Sequence, residues 1–168
     1  HVICGQGVAP ARATIDHYRA EGLALIPGSG LLSTVVPGAF DALMLMLRDH
    51  GRLTLRDVLE PAIYYAGQGH PMLASVAREI GDLAAVFRTD WPTSAPVWLP
   101  GGDVPKAGAL FRNPALAAFW TRLLDEAEAV SGREAQIERA RLAFHEGFVA
   151  ELIDDFIADA CVLDGTGE

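Results

Sequence analysis

A helix-length stretch, 38–51, limits the folds open to this chain because it is apolar on almost its whole circumference. Large apolar residues recur there at the helical positions i, i+3, i+4 and i+7, namely Phe40, Leu43, Met44 and Leu47. Other small or apolar residues fill most of the remaining positions, namely Ala42, Leu45 and Met46. Because such a helix has little polar surface to offer to water, we expect it to lie at the centre of a helical core.

Further helical patterns lie on both sides of this stretch and predict a chain that is mainly α. The predicted helices cover about 15–21, 55–66, 72–87, 114–127, 133–144 and 148–159. Thr54 to Asp57 resembles a capping box, and Asn113 with Pro114 suits an N-cap and a first turn. Pro61 interrupts the second pattern, so we expect a kink there or a restart of the helix with Pro61 in its first turn.

Two stretches depart from the helical pattern. The apolar run 2–4 precedes a glycine turn and predicts a short strand. Residues 89–112 contain too many prolines and glycines for regular structure, but Trp91, Trp98 and Phe111 can anchor them. We therefore expect 89–112 to be an ordered loop. With 168 residues, a length that suits one domain, the chain is predicted to form a single helical segment.

The charge distribution argues against nucleic acid as a partner. The net charge is −9, from 22 acids and 13 bases, and the bases are too scattered to neutralise phosphates. The longest purely apolar run, 42–47, is far shorter than the roughly 20 residues that cross a bilayer, so we expect no membrane span in this segment. Cys4 and Cys161 have no local partner, and cytoplasmic, periplasmic and secreted locations all stay open. Because the chain begins with His1 and ends in a loop, we expect further sequence on both sides.

Side chains that could carry catalysis or bind metal are not arranged in a recognised pattern. His145-Glu146 resembles the start of H-E-x-x-H, but Val149 stands where the second histidine would bind zinc. Gly5-Gln6-Gly7 lacks the continuation that cradles phosphate and is interpreted as a turn. No serine lies in a nucleophile elbow, and the acidic pairs fit solvated helix faces. We therefore predict no catalytic residue, no metal and no cofactor within this chain.

Several short motifs follow one another along the chain. They are A-P-x-x-A-T at 9–14, V-P-G at 36–38, G-x-L at 51–53, P-A-I-x-x-A-x-x-G at 61–69 and F-H-E-G-F-V-A-E at 144–151. Each motif alone is weak, but their order and spacing resemble the gamma-glutamyltranspeptidase family over nearly the whole chain. The chain is thereby identified as a segment of that family's large subunit.

The resemblance implies an N-terminal nucleophile hydrolase with a four-layer αββα fold, made as a precursor that cleaves itself into a large and a small subunit. This chain would be the helical middle of the large subunit, and the small subunit would be its partner. The catalytic threonine would be the first residue of the small subunit, where its own amine activates its hydroxyl. The whole protein would hydrolyse or transfer a γ-glutamyl or related acyl group of a small-molecule amide, as in glutathione metabolism. The isolated segment would be inactive.

One substrate-binding position of the family falls within the chain. The transpeptidases have R-E-x-A-P-x-x-A-T, whose arginine holds the α-carboxylate of the substrate through charge-assisted hydrogen bonds. Gln6 stands at that position and Gly7 replaces the acid. Since a neutral amide cannot balance a carboxylate charge, a related acylase is as open as a glutathione enzyme. An alternative from another class is a stand-alone, non-catalytic helical module that binds a protein through residues 91–111.

Overall fold

The computed structural model describes residues 2–164, and its helices confirm the predicted mainly α fold. The helices are α1 (Ile15–Ala20), α2 (Ala39–His50), α3 (Leu55–Gln68), α4 (Ala74–Asp82), α5 (Ala84–Thr89), α6 (Ala95–Trp98), α7 (Pro114–Glu128), α8 (Arg133–His145) and α9 (Phe148–Asp159). Short 3₁₀ helices span Leu31–Ser33 and Pro100–Gly102. Strands β1 (His70–Pro71) and β2 (Leu110–Phe111) pair antiparallel, with His70 opposite Phe111. The expected terminal loop lies, apart from Asp164, outside the described residues.

The chain divides into two compact units, where the sequence predicts one segment. Unit 1 comprises His1–Leu53 and Val130–Glu168, and unit 2 comprises Thr54–Ala129. The boundaries fall between α2 and α3 and between α7 and α8. Each unit is built around its own helix pair, α2 with α8 in unit 1 and α3 with α7 in unit 2.

In unit 1, α2 packs against α8 through one face. Phe40 and Met44 are buried, and the Phe40 ring stacks on Phe144 with the ring centroids 4.5 Å apart. Ile137 of α8 is completely buried. The expectation that α2 is buried on nearly all sides is wrong, since Leu43 is 54% exposed. That face of the helix is about half open to solvent.

The carboxyl end of α2 is capped by Arg133 of α8. Its Nε donates to the Leu53 carbonyl at 2.9 Å, and its terminal nitrogens donate to the carbonyls of Leu47, Arg48 and Gly51. The last carbonyls of a helix have no partner within the helix and carry a partial negative charge. A guanidinium therefore satisfies them well, and it also ties α8 to α2.

In unit 2, α3 packs against α7. Leu55 of α3 and Leu123 of α7 are both completely buried. Helix α3 continues through Pro61, so it does not restart at that residue. The missing backbone hydrogen bond is tolerated because the buried face of the helix offsets its cost.

The sequence signals at two helix starts are confirmed. The Thr54 N–H donates to Asp57 Oδ2 at 2.8 Å, and the Asp57 N–H donates to Thr54 Oγ1 at 3.2 Å. These two bonds complete the capping box of α3. At α7, Asn113 Oδ1 accepts from the Leu116 N–H at 3.0 Å, and Pro114 lies in the first turn.

Residues 89–112 are ordered and are more regular than predicted, because they contain α6, a 3₁₀ turn and β2. Leu99 and Phe111 belong to the buried core of unit 2, together with Met72 and Phe87. Trp91 packs against that core. Apolar anchoring has therefore ordered this stretch in spite of its prolines and glycines.

Residues 2–4 form no strand, so that prediction is wrong. A strand needs a neighbouring chain to complete its hydrogen bonds, and no described segment pairs with 2–4. An isolated antiparallel bridge joins Val8 to Val36 instead. The helix predicted over 72–87 is also divided, because Leu83 with ψ of 0° separates α4 from α5.

Candidate functional site

The loop that carries Gln6 packs directly on the turn that begins α2. The Val36 N–H donates to the Val8 carbonyl at 2.9 Å, and Gly7 has a φ of 81°. A Cβ atom at Gly7 would lie 2.2 Å from the Val36 carbonyl oxygen, and one at Gly38 would lie 2.7 Å from the Gly7 nitrogen. Glycine is therefore required on both sides of this contact, which holds the backbone of Gln6 beside the amino end of α2.

A groove of about 400 Å³ lies beside this loop and is called the unit 1 groove here. Its apolar walls include Val8, Val36 and Leu45, and its polar side chains are Cys4, Asp41 and His145. Gln6, the substrate-binding residue predicted from the sequence, is exposed. Gly7 lines the groove, whereas the side chain of Gln6 is not part of its lining.

Asp41 and His145 form the polar part of the unit 1 groove. His145 Nε2 lies 3.5 Å from Asp41 Oδ1. The same oxygen accepts a hydrogen bond from Arg141 Nε at 2.5 Å. The His145 ring meets the Phe144 ring edge to face, with the centroids 5.8 Å apart. No described residue bonds to His145 Nδ1, which is therefore available to a molecule in the groove.

A series of ion pairs continues from Asp41 along α2 and α8. Arg141 Nη1 donates to Glu138 Oε1 at 2.6 Å, Arg48 Nη1 donates to Glu138 Oε2 at 2.8 Å, and Arg48 Nε donates to Asp49 Oδ1 at 2.7 Å. The hydrogen bond from Arg141 lowers the pKa of Asp41, and it also lowers the pKa of Glu138. Both carboxylates stay ionised at neutral pH, so neither is suited to donate a proton in catalysis.

A second groove of about 260 Å³ in unit 1 shares Val36, Pro37 and His145 with the first. Ile153 and Ile157 of α9 form part of its apolar wall. Asp154, predicted to lie on a solvated helix face, lines this second groove. No lysine or arginine is among the described residues that line either groove.

Unit 2 contains a separate groove of about 430 Å³ with aromatic walls. Tyr65, His70, Trp98 and Phe111 line it, and the Trp98 ring stacks on Phe111 with the centroids 5.8 Å apart. This groove can enclose an apolar group. Its lining contains no carboxylate that could form an acid–base pair with His70.

The described residues contain neither a metal site nor a membrane-spanning helix. Within residues 2–164, no three His, Cys, Asp or Glu side chains come together as a metal site. None of the described helices combines the length and the hydropathy needed to cross a bilayer. The sequence does not predict the grouping of Asp41, Arg141 and His145, because 100 positions separate Asp41 from Arg141. Only the Glu138–Arg141 spacing on α8 gives a local signal for these ion pairs.

Known proteins match nearly the whole chain. The family model for gamma-glutamyltranspeptidase matches residues 1–166. The glutathione hydrolase-like YwrD proenzyme of Bacillus subtilis is 32% identical over 150 residues, which cover 89% of this chain and 26% of the proenzyme. The oxamate amidohydrolase proenzyme of Klebsiella pneumoniae is 33% identical over 121 residues, which cover 68% of this chain and 22% of the proenzyme. The chain thus spans about a quarter of the length of these curated relatives.

A solved structure agrees with these matches. The structure of LmbA2991T421A has a TM-score of 0.93 and 51% identity to this chain, and the match covers 98% of this chain and 28% of that one. The helical fold described above is therefore that of a segment of a larger family protein. The resemblance seen in the motifs is confirmed, and this chain belongs to the gamma-glutamyltranspeptidase family.

Proposed function

We propose that this chain is part of an enzyme that hydrolyses an amide or transfers its acyl group, with a catalytic threonine outside the chain. The match of the family over residues 1–166 carries the proposal. Cys4 and Thr34 each line a groove that His145 also lines, but no hydrogen bond joins either of them to His145, which supports a nucleophile in another part of the protein. A threonine at a chain start can supply its own base through its free amine.

The relatives act on amides of more than one kind, judged by their names. One is a glutathione hydrolase-like proenzyme and another is an oxamate amidohydrolase proenzyme. Gln6 stands where the family pattern has an arginine, and its loop adjoins the unit 1 groove. We assign Gln6 to the acyl-binding side of the substrate site, where its amide hydrogen-bonds without adding a charge.

Exposed apolar side chains in unit 1 support a partner subunit that covers them. On α9, Leu152 is 52% exposed, and Phe156 and Ile157 are also exposed. On α2, Leu43 and Met46 are exposed as well. Large apolar patches on a soluble protein mark interaction surfaces. The partner we propose is the small subunit released by self-cleavage of the same precursor.

The alternative of a stand-alone binding module has less support. It requires residues 91–111 to offer aromatic side chains to a partner protein. Leu99 and Phe111 are instead buried in the core of unit 2, and Trp91 packs against it. Trp98 is 38% exposed and already stacks on Phe111. This stretch therefore serves the core more than it serves a binding surface.

Expression of the full-length protein tests the proposed function. We expect self-cleavage into two chains, and mass spectrometry should find a threonine at the amino terminus of the smaller one. The cleaved protein should release amine from an acyl anilide, and replacement of that threonine by alanine should abolish both cleavage and release. Chain 1–168 alone should be inactive. An uncleaved protein that releases amine from no amide would refute the proposal.

The variant Gln6→Arg tests the position of the acyl group. We expect kcat/KM for a γ-glutamyl anilide to rise at least about tenfold, because hydrogen bonds between charged groups are worth about 1.5–3 kcal/mol. Gln6→Lys is the matched control, since it adds the charge without the planar fork of donors. An unchanged rate in Gln6→Arg would remove Gln6 from the substrate site.

A further inference from the structure

We propose that His145 is a specificity-determining contact of the unit 1 groove, and that this groove accepts an ammonium of the acyl group and rejects a carboxylate. The inference rests on the proposed amide-directed activity and specifies the substrate class of the same site. The position of His145 and the charges of the side chains that line the grooves of unit 1 both support it.

The imidazole of His145 is shared by the two grooves of unit 1. His145 is the last residue of α8 and lines both grooves of unit 1. Val36 and Pro37 also line both grooves, but their side chains offer no polar atom. Around the ring, the walls of both grooves are largely apolar. His145 is therefore placed to contact a molecule in either groove.

The neighbouring carboxylate of Asp41 decides which ring nitrogen of a neutral His145 carries the proton. Asp41 Oδ1 lies 3.5 Å from His145 Nε2, and a carboxylate beside one ring nitrogen favours the tautomer that carries its proton there. A neutral imidazole with the proton on Nε2 has a hydrogen-bond acceptor at Nδ1. No described residue donates to that nitrogen. The free position therefore suits an N–H or O–H group of a ligand.

The charged side chains that line the two grooves are acidic. The acids that line the grooves are Asp41 and Asp154, and no described lysine or arginine lines either groove. Arg141 donates to both Asp41 and Glu138 and is thus already paired. A carboxylate would meet like charge and a ring lone pair, which disfavours its binding. An ammonium would meet the acceptor at His145 Nδ1 and would be favoured by the negative charge of Asp41 in the same groove.

Calorimetric titration of the full-length protein, cleaved or uncleaved, tests this assignment. The two probes are small amides of similar size: 4-aminobutyramide ends in an ammonium, and glutaramate ends in a carboxylate. We expect 4-aminobutyramide to bind at least about tenfold more tightly, as one charge-assisted hydrogen bond predicts. Equal affinity, tighter binding of glutaramate or binding of neither probe would overturn the inference.

Variants of His145 separate a direct contact from a structural role. His145→Leu should weaken 4-aminobutyramide about tenfold and leave glutaramate within about twofold, because it removes the acceptor at Nδ1 and keeps apolar bulk in the groove. His145→Asn keeps a polar oxygen near the position of Nδ1 and should restore part of the loss. His70→Leu, in the separate groove of unit 2, is the matched control and should change neither affinity.

The two proposals fail in different ways. Absence of self-cleavage and of amide turnover, read from the mass spectrum and the anilide assay, counts against the proposed function. An unaltered preference in His145→Leu, with a melting temperature like that of the parent protein, counts against the role of His145 alone. A loss of affinity for both probes to the same extent would also contradict it, since it would indicate a general loss of the groove.

Discussion

The two units of this chain hold their helix pairs together in different ways. In unit 2, α3 and α7 contribute Leu55 and Leu123, both completely buried. In unit 1, α2 and α8 are also tied by ion pairs such as Asp41–Arg141, while Leu43 stays exposed. The helix pair of unit 2 is therefore held mainly by apolar packing, and that of unit 1 by apolar packing together with ion pairs.

The tryptophans make this difference measurable. The chain has three, and Trp91, Trp98 and Trp120 all lie in unit 2. Tryptophan fluorescence therefore follows the unfolding of unit 2. Deuterium exchange of peptides from α2 and α8 follows local opening of unit 1.

The largest expected effect comes from the core of unit 2. Leu123→Ala should lower the free energy of unfolding by about 3 kcal/mol or more, because it leaves a cavity at a fully buried site. Leu43→Ala, the matched change on the exposed face of α2, should change the stability of chain 1–168 by less than about 0.5 kcal/mol. Urea unfolding followed by tryptophan fluorescence measures the change in unit 2, and deuterium exchange of peptides from α2 measures the change in unit 1.

The same two variants test whether the outer face of α2 is open within chain 1–168. If Leu43→Ala destabilises chain 1–168 as much as Leu123→Ala does, then the outer face of α2 is covered within the chain. The full-length protein provides a stronger test of the same face. There, Leu43→Ala should become destabilising, because the proposed partner subunit would bury this side chain.

The next effect concerns two glycines with positive φ, one in each unit. Gly7→Ala should cost about 2–3 kcal/mol, because the left-handed conformation costs roughly 1–2 kcal/mol and the new Cβ also displaces the Val36 carbonyl. Gly101→Ala, with a φ of 71° and open space around it, should show only the backbone cost. Deuterium exchange in 2–8 and in the first turn of α2 measures the local effect. Equal losses would show that the contact of Gly7 with Val36 is dispensable.

The sequence correctly predicted the features that depend on hydrogen bonds between nearby residues. The capping box of Thr54 and Asp57 and the cap of Asn113 depend on residues three apart, and both are confirmed. The strand expected at 2–4 failed, because a strand is decided by its partner and not by its own residues. Apolar residues in 89–112 predicted order correctly, but the pairing of β2 with β1 has no signal within that stretch.

The candidate site was harder to predict than the fold. The family pattern directs attention to Gln6, while its position on the turn at Val36 depends on glycines that meet across about thirty residues of sequence. Asp41 lies 100 positions from Arg141 along the chain and is also distant from His145, and nothing in a single sequence pairs it with either residue. Contacts between distant helices therefore determine the chemistry of the groove.

A smaller effect should come from the ion pairs of unit 1, and it should depend on pH. Hydrogen bonding to Arg141 lowers the pKa of Asp41 and of Glu138 from usual values of 3.8 and 4.5. The stabilisation is therefore complete above those usual values and is lost as the pH falls through the lowered ones. Arg141→Met should cost about 1 kcal/mol at pH 7 and progressively less as the pH falls below those usual values. Deuterium exchange of α8 at several pH values measures this, and a cost independent of pH would contradict the assignment.

The smallest effect is expected for the surface ion pair of unit 2. Arg56 donates to Glu128 from two nitrogens, at 2.9 and 2.5 Å, but the Arg56 side chain is 48% exposed. Water and salt screen such a pair, so Arg56→Met should change the fluorescence-detected unfolding less than Arg141→Met changes unit 1. The change should vanish near 1 M salt, where the Debye length is about 3 Å. Arg78→Met, which removes the same charge from α4, is the control for net charge. A loss in Arg56→Met that exceeds the one in Arg141→Met, or that persists in salt, would mean that unit 2 also relies on ion pairing, and the contrast between the units would not hold.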